Sequence, residues 1–225
     1  MGIENNTVSA KRQVAEYDVV RIIDKGASLN VLFVGNSITR HAPQADIGWD
    51  YDWGMAASSE ETDYVHVTVK LLEEKYGKIN FCTACCGDWE RNYWDDDIIE
   101  RWRKARDFNA DIIVIRIGEN IWGQRHLFNE KPLYSHYDKM IKYFRSKENA
   151  KVVVTDLFWE DGGINKTVYK CVEENGYSLV KIGDIGEKDE NKAIGKFWHS
   201  GVAIHPNDGG MRKIAERIAD KILEK

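Results

Sequence analysis

The chain has 225 residues, 37 acidic and 32 basic, for a net charge of −5; at roughly 150 residues per domain this favours one domain, spanning 1–225, over two. Lys and Arg are scattered rather than gathered in a stripe, which excludes the basic footprint of a nucleic-acid binder. The 43% hydrophobic fraction is ample for a core, no stretch approaches the ~18 apolar residues of a membrane span, and the opening MGIENNTVSAKRQ has no apolar signal segment, so a cytoplasmic location is expected.

Residues 1–28 read as a lead-in. The first apolar run, Asn30–Val34, passes into Gly35-Asn36-Ser37-Ile38-Thr39 and then into an aromatic and acidic insert, Ala42–Ser59. Ser58-Ser59-Glu60-Glu61 reads as a capping box for a helix whose apolar stripe is Val65, Val69, Leu72 and Tyr76. A second run, Ile79–Ala84, leads to Cys86-Gly87-Asp88-Trp89-Glu90. Asp95-Asp96-Asp97 then heads a helix carrying Ile98, Trp102 and Ala105. The third run, Asp111–Ile117, opens onto Gly118-Glu119-Asn120, and a helix with Tyr134, Tyr137, Ile141 and Phe144 follows. Runs four and five are Lys151–Phe158 and Ser178–Ile182. His205-Pro206-Asn207-Asp208 precedes a last helix striped by Met211, Ile214, Ile218 and Ile222, with Asp208 as its expected N-cap.

The runs are short, β-branched and nearly continuous, as strands buried on both faces of a parallel sheet read. Alternating with helices, they predict a three-layer α/β/α sandwich, flavodoxin-like, with about five parallel strands. Ligand sites in such sheets lie beyond the carboxyl ends of the strands, so the residues just after each run carry the functional information. Ser37, Gly87, Asn120 and His205 all fall there, and together they are the parts of an acyl-transfer site. A serine hydroxyl is a weak nucleophile until a base takes its proton, and a histidine titrates near working pH. The N–H of Ser37, the N–H of Gly87 and the amide of Asn120 would hold the oxyanion. Gly87 suits that role because the missing Cβ lets its backbone approach the substrate.

These blocks resemble the SGNH hydrolases, also called GDSL-type esterases. Gly35-Asn36-Ser37, Gly87, Gly118-Glu119-Asn120 and His205 match the family's Ser, Gly, G-x-N and His blocks in order, over Val31 to Ala215. The resemblance implies a flavodoxin-like sandwich and hydrolysis of esters without a metal. One departure stands out. The family places an Asp three residues before the His, and here that position is Val202. A main-chain carbonyl within His199–Ala203 is the expected substitute, giving a Ser–His dyad. Asp184, soon after the fifth run, and Asp208 are the carboxylates that could stand in for the missing Asp.

The substrate is expected to be a small-molecule or carbohydrate ester, with acetyl the leading acyl group. Trp49, Asp50 and Trp53 of the insert, together with Trp89 and Glu119, are the candidate substrate-binding residues. Aromatic faces suit stacking on sugar rings, and carboxylates bind their hydroxyls; a self-packed loop is the competing reading of the insert. Trp122, Trp159 and Trp198 also follow strands, predicting a rim rich in tryptophan. No cofactor and no nucleic-acid or membrane partner is expected. Cys82, Cys85, Cys86 and Cys171 read as buried thiols, because the single CxxC lacks a second pair to complete a zinc set. His41, His66, His126 and His136 lack ligand spacing, and His199 reads as a solvated loop residue. The alternatives are a non-catalytic carbohydrate-binding protein, an esterase for lipid esters, and a flavodoxin-like binding or signalling domain.

Overall fold

Each apolar run becomes a parallel strand, and the structure adds one strand that the sequence pattern did not mark. The computed structural model describes residues 18–224, so most of the lead-in and its start lie outside the described residues. The strands are β1 (Val19–Ile22), β2 (Asn30–Gly35), β3 (Asn80–Cys85), β4 (Ile112–Arg116), β5 (Lys151–Thr155) and β6 (Ser178–Val180). They form one sheet in the order β1-β3-β2-β4-β5-β6. β2 to β6 are parallel and β1 pairs antiparallel with β3, Val19 facing Ala84 and Ile22 facing Phe81. The sheet therefore has six strands rather than five, and part of the expected lead-in belongs to it.

The helices are α1 (Tyr64–Tyr76), α2 (Gly87–Arg91), α3 (Arg103–Arg106), α4 (Leu133–Phe144), α5 (Gly162–Asn175), α6 (Gly183–Gly186), α7 (Ser200–Ala203) and α8 (Asp208–Leu223). Strand residues alternate between the two helical layers. Leu32, Val34, Ile113, Ile115, Val152 and Val154 pack against Trp102, Tyr137, Ile141, Phe144, Ile164 and Val168 on one face. Val31, Phe33, Ile112, Val114 and Val153 pack against Val65, Leu72, Met211, Ile214 and Ile218 on the other. Burying each such aliphatic side chain contributes about 1.5–3 kcal/mol, which is why both faces of the strands are apolar. Among the described residues no helix is long and apolar enough to cross a membrane.

Local expectations fare unevenly. α1 is capped by Asp63, whose carboxylate accepts from the His66 N–H, whereas the capping box joins Ser59 and Thr62 on the short 3-10 turn before it. The stripe Ile98, Trp102, Ala105 is buried, but the segment is a 3-10 turn over Ile98–Trp102 followed by the single turn α3. Asn207, not Asp208, caps α8, accepting from the Gly210 N–H; Asp208 instead accepts from the backbone and hydroxyl of Ser58 and from Thr62. The four cysteines are free thiols, and burial pushes Cys82 and Cys85 up to about 12.

Counted over the parallel strands alone, the order is 2-1-3-4-5, that of the flavodoxin-like sheet. The strand order reverses between β2 and β4. The turns that leave these two strands diverge there, and they carry Ser37 and Asn120.

Candidate active site

Gly35 ends β2 in a place too tight for a side chain, because a Cβ there would collide with Thr39 and the Arg116 carbonyl. The chain then turns sharply, the N–H groups of Thr39 and Arg40 both bonding to the Asn36 carbonyl. This turn buries Asn36 and leaves Ser37 half exposed at the strand end. His205 reaches it from the segment between α7 and α8. The Ser37 Oγ lies 2.8 Å from His205 Nε2, and His205 Nδ1 lies 2.7 Å from the carbonyl oxygen of Gly201. A carbonyl can only accept, so Nδ1 carries the proton and Nε2 presents its lone pair to the serine hydroxyl. Gly201 lies within the His199–Ala203 segment where such a carbonyl was expected.

Neither candidate carboxylate touches the ring. Asp184 pairs with both Nη atoms of Arg217, and that pairing holds its pKa below the ordinary range. Asp208 is engaged with Ser58 and Thr62. Burial lowers the His205 pKa to about 3; the Gly201 carbonyl opposes this, and the charges of His41 and Arg116 add to it. The ring also meets Trp159 in a T-shaped contact, at 4.9 Å between centroids.

Two cavities meet at this pair. One, of about 360 Å³, is lined by Ser37, Gly87, Asn120 and His205 together with His41, Arg91 and His199. The other, of about 370 Å³, shares Ser37, Asn120 and His205 and is walled by Trp122, Trp159 and Glu160. The structure thus brings Ser37, Gly87, Asn120 and His205 to one crevice. His199, expected to be solvated, and His41 line its first lobe.

The substrate-binding candidates are placed differently. Trp49 is fully buried in a small core with Met55, Ala56, Ala193 and Val202, its indole N–H bonded to the His41 carbonyl. Trp53 stacks on Tyr51 and gives its N–H to Ala57, while Asp50 is exposed, and neither lines a lobe. The insert's aromatics pack on one another, whereas its Ala42, Ile47 and Met55 line the first lobe. Trp89 is core, packed on Tyr93 and Tyr137. Glu119 borders the second lobe, but its carboxylate is turned inward, paired at 2.7 Å with the fully buried Arg116 and accepting from Asn36 and the Phe158 N–H. The aromatic rim consists instead of Trp122, 66% exposed, and the half-buried Trp159.

Beneath the crevice lies a polar cluster that the residue pattern did not reveal. Glu90 is fully buried, and its pKa is raised by burial and by the charge of Glu119, against hydrogen bonds from Asn120 and Asn36. Arg116 bonds Glu119 and the Asn36 side-chain oxygen. One signal for it was available. An arginine inside Ile112–Ile117 must be buried, and a buried guanidinium needs carboxylate partners.

No protein-family profile matches the chain, and no curated protein sequence matches it. Solved structures do. A catalytic mutant of Axe2, an acetylxylan esterase from Geobacillus stearothermophilus, superposes with a TM-score of 0.57 at 18% identity, over 89% of this chain and 96% of that one. Another Axe2 mutant, described as an acetyl-xylooligosaccharide esterase, gives 0.53 at 19% identity over the same shares. The lipase Lip_vut3 from a goat rumen metagenome gives 0.50 at 14% identity, over 86% and 97%. What is shared is the fold. Catalytic mutants of Axe2 replace a serine, an aspartate and a histidine by alanine, the last two lying three positions apart.

Proposed function

We propose that this chain is a serine esterase of the SGNH type that removes a small acyl group, acetyl first, from a carbohydrate ester. The observation that carries the reading is the 2.8 Å contact of Ser37 Oγ with a His205 whose other nitrogen is committed to a carbonyl. Ser37 attacks the ester carbonyl while His205 Nε2 takes its proton. The tetrahedral oxyanion is held by the N–H groups of Ser37 and Gly87 and by the Asn120 amide. His205 then returns the proton to the leaving sugar oxygen. Water repeats the sequence on the acyl-serine and restores the hydroxyl. Where Axe2 has its aspartate, three positions before the histidine, this chain has Val202, which is buried in an apolar cluster. The carbonyl of Gly201 takes over the aspartate's orienting role but brings no full charge.

Carbohydrate is supported by the fold shared with Axe2 and by the second lobe. The exposed Trp122 and the half-buried Trp159 offer apolar surface beside Glu160, a combination that suits a sugar ring. The test is labelling with a fluorophosphonate, followed by turnover of acetylated xylo-oligosaccharides beside an aryl acetate. Ser37 should label, and Ser37→Ala should lose about 10⁴-fold or more in kcat on both substrates while keeping its fold. A folded wild-type chain that neither labels nor hydrolyses would instead be a non-catalytic binding protein.

A further inference from the structure

We propose that Glu90 is a positioning residue that fixes which end of the Asn120 amide faces the crevice; the inference rests on the esterase reading above. Glu90 has no surface exposure and accepts four N–H groups. Its Oε1 receives the Asn36 side-chain amide at 3.0 Å, the Gly118 N–H at 2.8 Å and the Asn120 N–H at 3.1 Å. Its Oε2 receives Asn120 Nδ2 at 2.5 Å. One side chain therefore ties together the segments that follow β2, β3 and β4, since Glu90 itself stands three residues after Gly87 on α2. Gly118 contributes a backbone with φ of 144°, where a Cβ would strike Leu157, so the loop that carries Asn120 has little freedom once its N–H groups are held.

The two ends of an asparagine amide have nearly the same shape, and only their partners decide which end points where. A carboxylate offers acceptors alone. It admits the NH₂ end of Asn120 and repels the oxygen end. Asn120 Nδ2 carries two hydrogens, and with one directed to Oε2 the other remains for the crevice, where Asn120 lines both lobes beside Ser37. An amide at position 90 would remove this selection. Its NH₂ would face Asn120 and favour the reversed amide, setting a carbonyl oxygen where the oxyanion forms. The change is small in volume, yet it turns a donor into an acceptor at the reacting oxygen.

The experiment compares Glu90→Gln, Asn120→Ala and the double variant on an aryl acetate. Glu90→Gln should lower kcat by about 10²–10³-fold, like loss of an oxyanion donor, with KM within about twofold of wild type. Because both changes act through one amide, the double variant should be no slower than Asn120→Ala, within about twofold. A wild-type measurement guards against a variant that does not fold. The Asn120 side-chain NH₂ signals, assigned by their absence in Asn120→Ala, should include one proton shifted downfield and protected from solvent exchange. A Glu90→Gln variant with kcat within about threefold of wild type, multiplicative losses in the double variant, or two unshifted, fast-exchanging protons would each overturn the positioning role alone. A wild-type chain without esterase activity or fluorophosphonate labelling overturns the esterase reading, and the positioning role falls with it.

Discussion

His66 and His205 each set Nδ1 within hydrogen-bond reach of a single oxygen, a carboxylate oxygen of Asp63 at 2.9 Å in one case and the peptide oxygen of Gly201 at 2.7 Å in the other. At His66 burial pulls the pKa down, but the hydrogen bond and charge of Asp63 and the charge of Glu60 outweigh it, and the net shift is upward. At His205 the carbonyl opposes burial without overcoming it, and the pKa falls to about 3. The arrangement most like a triad's Asp–His pair thus sits at the start of α1, capping a helix, while the histidine beside Ser37 has none. In this chain a carboxylate next to a histidine does not mark the crevice that holds Ser37. The acceptor beside His205 selects the tautomer and leaves the ring neutral, ready to take a proton.

The largest effect that separates the two histidines is in turnover. His205→Ala should lower kcat on an aryl acetate by about 10²–10⁴-fold, the range for removing a general acid–base. His66→Ala should stay within about twofold, and a comparable loss there would break the contrast. Next comes pH. In the proposed mechanism neutral His205 is the working form, so a lowered pKa extends activity downward: kcat/KM should stay level between pH 8 and 5. A histidine at its ordinary 6.5 would instead lose about tenfold per unit at lower pH.

Stability carries the same opposition in sign. The unfolded chain protonates His205 near 6.5 and the folded chain only near 3, so its contribution to stability is lost as pH falls through that window. Between pH 6.5 and 5 this amounts to about 2 kcal/mol. His66, raised on folding, stabilises below 6.5, and that contribution fades as pH rises through its folded value. Urea midpoints at pH 7 and 5 should therefore fall less steeply in His205→Ala and more steeply in His66→Ala than in wild type. The smallest effects belong to the carboxylates outside the site. Asp184→Asn and Asp208→Asn should keep most activity, with Asp208→Ala losing about 1 kcal/mol of stability through Ser58. An inactive Asn variant of either would restore a full triad.

Much of this was legible in the residue pattern, for identifiable reasons. Strands buried on both faces cannot hide, because Val31–Val34 and Ile112–Ile115 must be apolar throughout. β1 escaped notice because Val-Val-Arg-Ile is an edge strand, half to fully exposed, whose pairing is decided by β3 rather than by its own periodicity. α5 escaped as well, since its buried stripe is only Ile164, Asn165, Val168 and Cys171 behind two glycines. The site blocks follow strands, so their positions came with the strands. Trp49 was misplaced because an aromatic in a loop has no period to say which way it faces, and Trp89 because α2 is only five residues long, too short to show a stripe. Asn207 and Asp208 are adjacent capping residues, and only the extended backbone of Asn207 decides between them. Within the Glu90 cluster only the Arg116–Glu119 pair is local; the contacts that join it to Asn36 and Glu90 are 28 to 83 residues apart, and no local window contains them.

The oxygen that orients His205 belongs to α7, a single turn of four residues, and not to any side chain. Its chemistry is therefore written in the path of the chain. Every amino acid carries that oxygen, so scanning substitutions along 200–203 cannot delete it, although a side chain at Gly201 would press on the His199 ring. What removes it is the opening of one short turn, which must also lift Val202 out of its apolar cluster. If the turn opened, the histidine would lose its tautomer although every side chain of the site was still present.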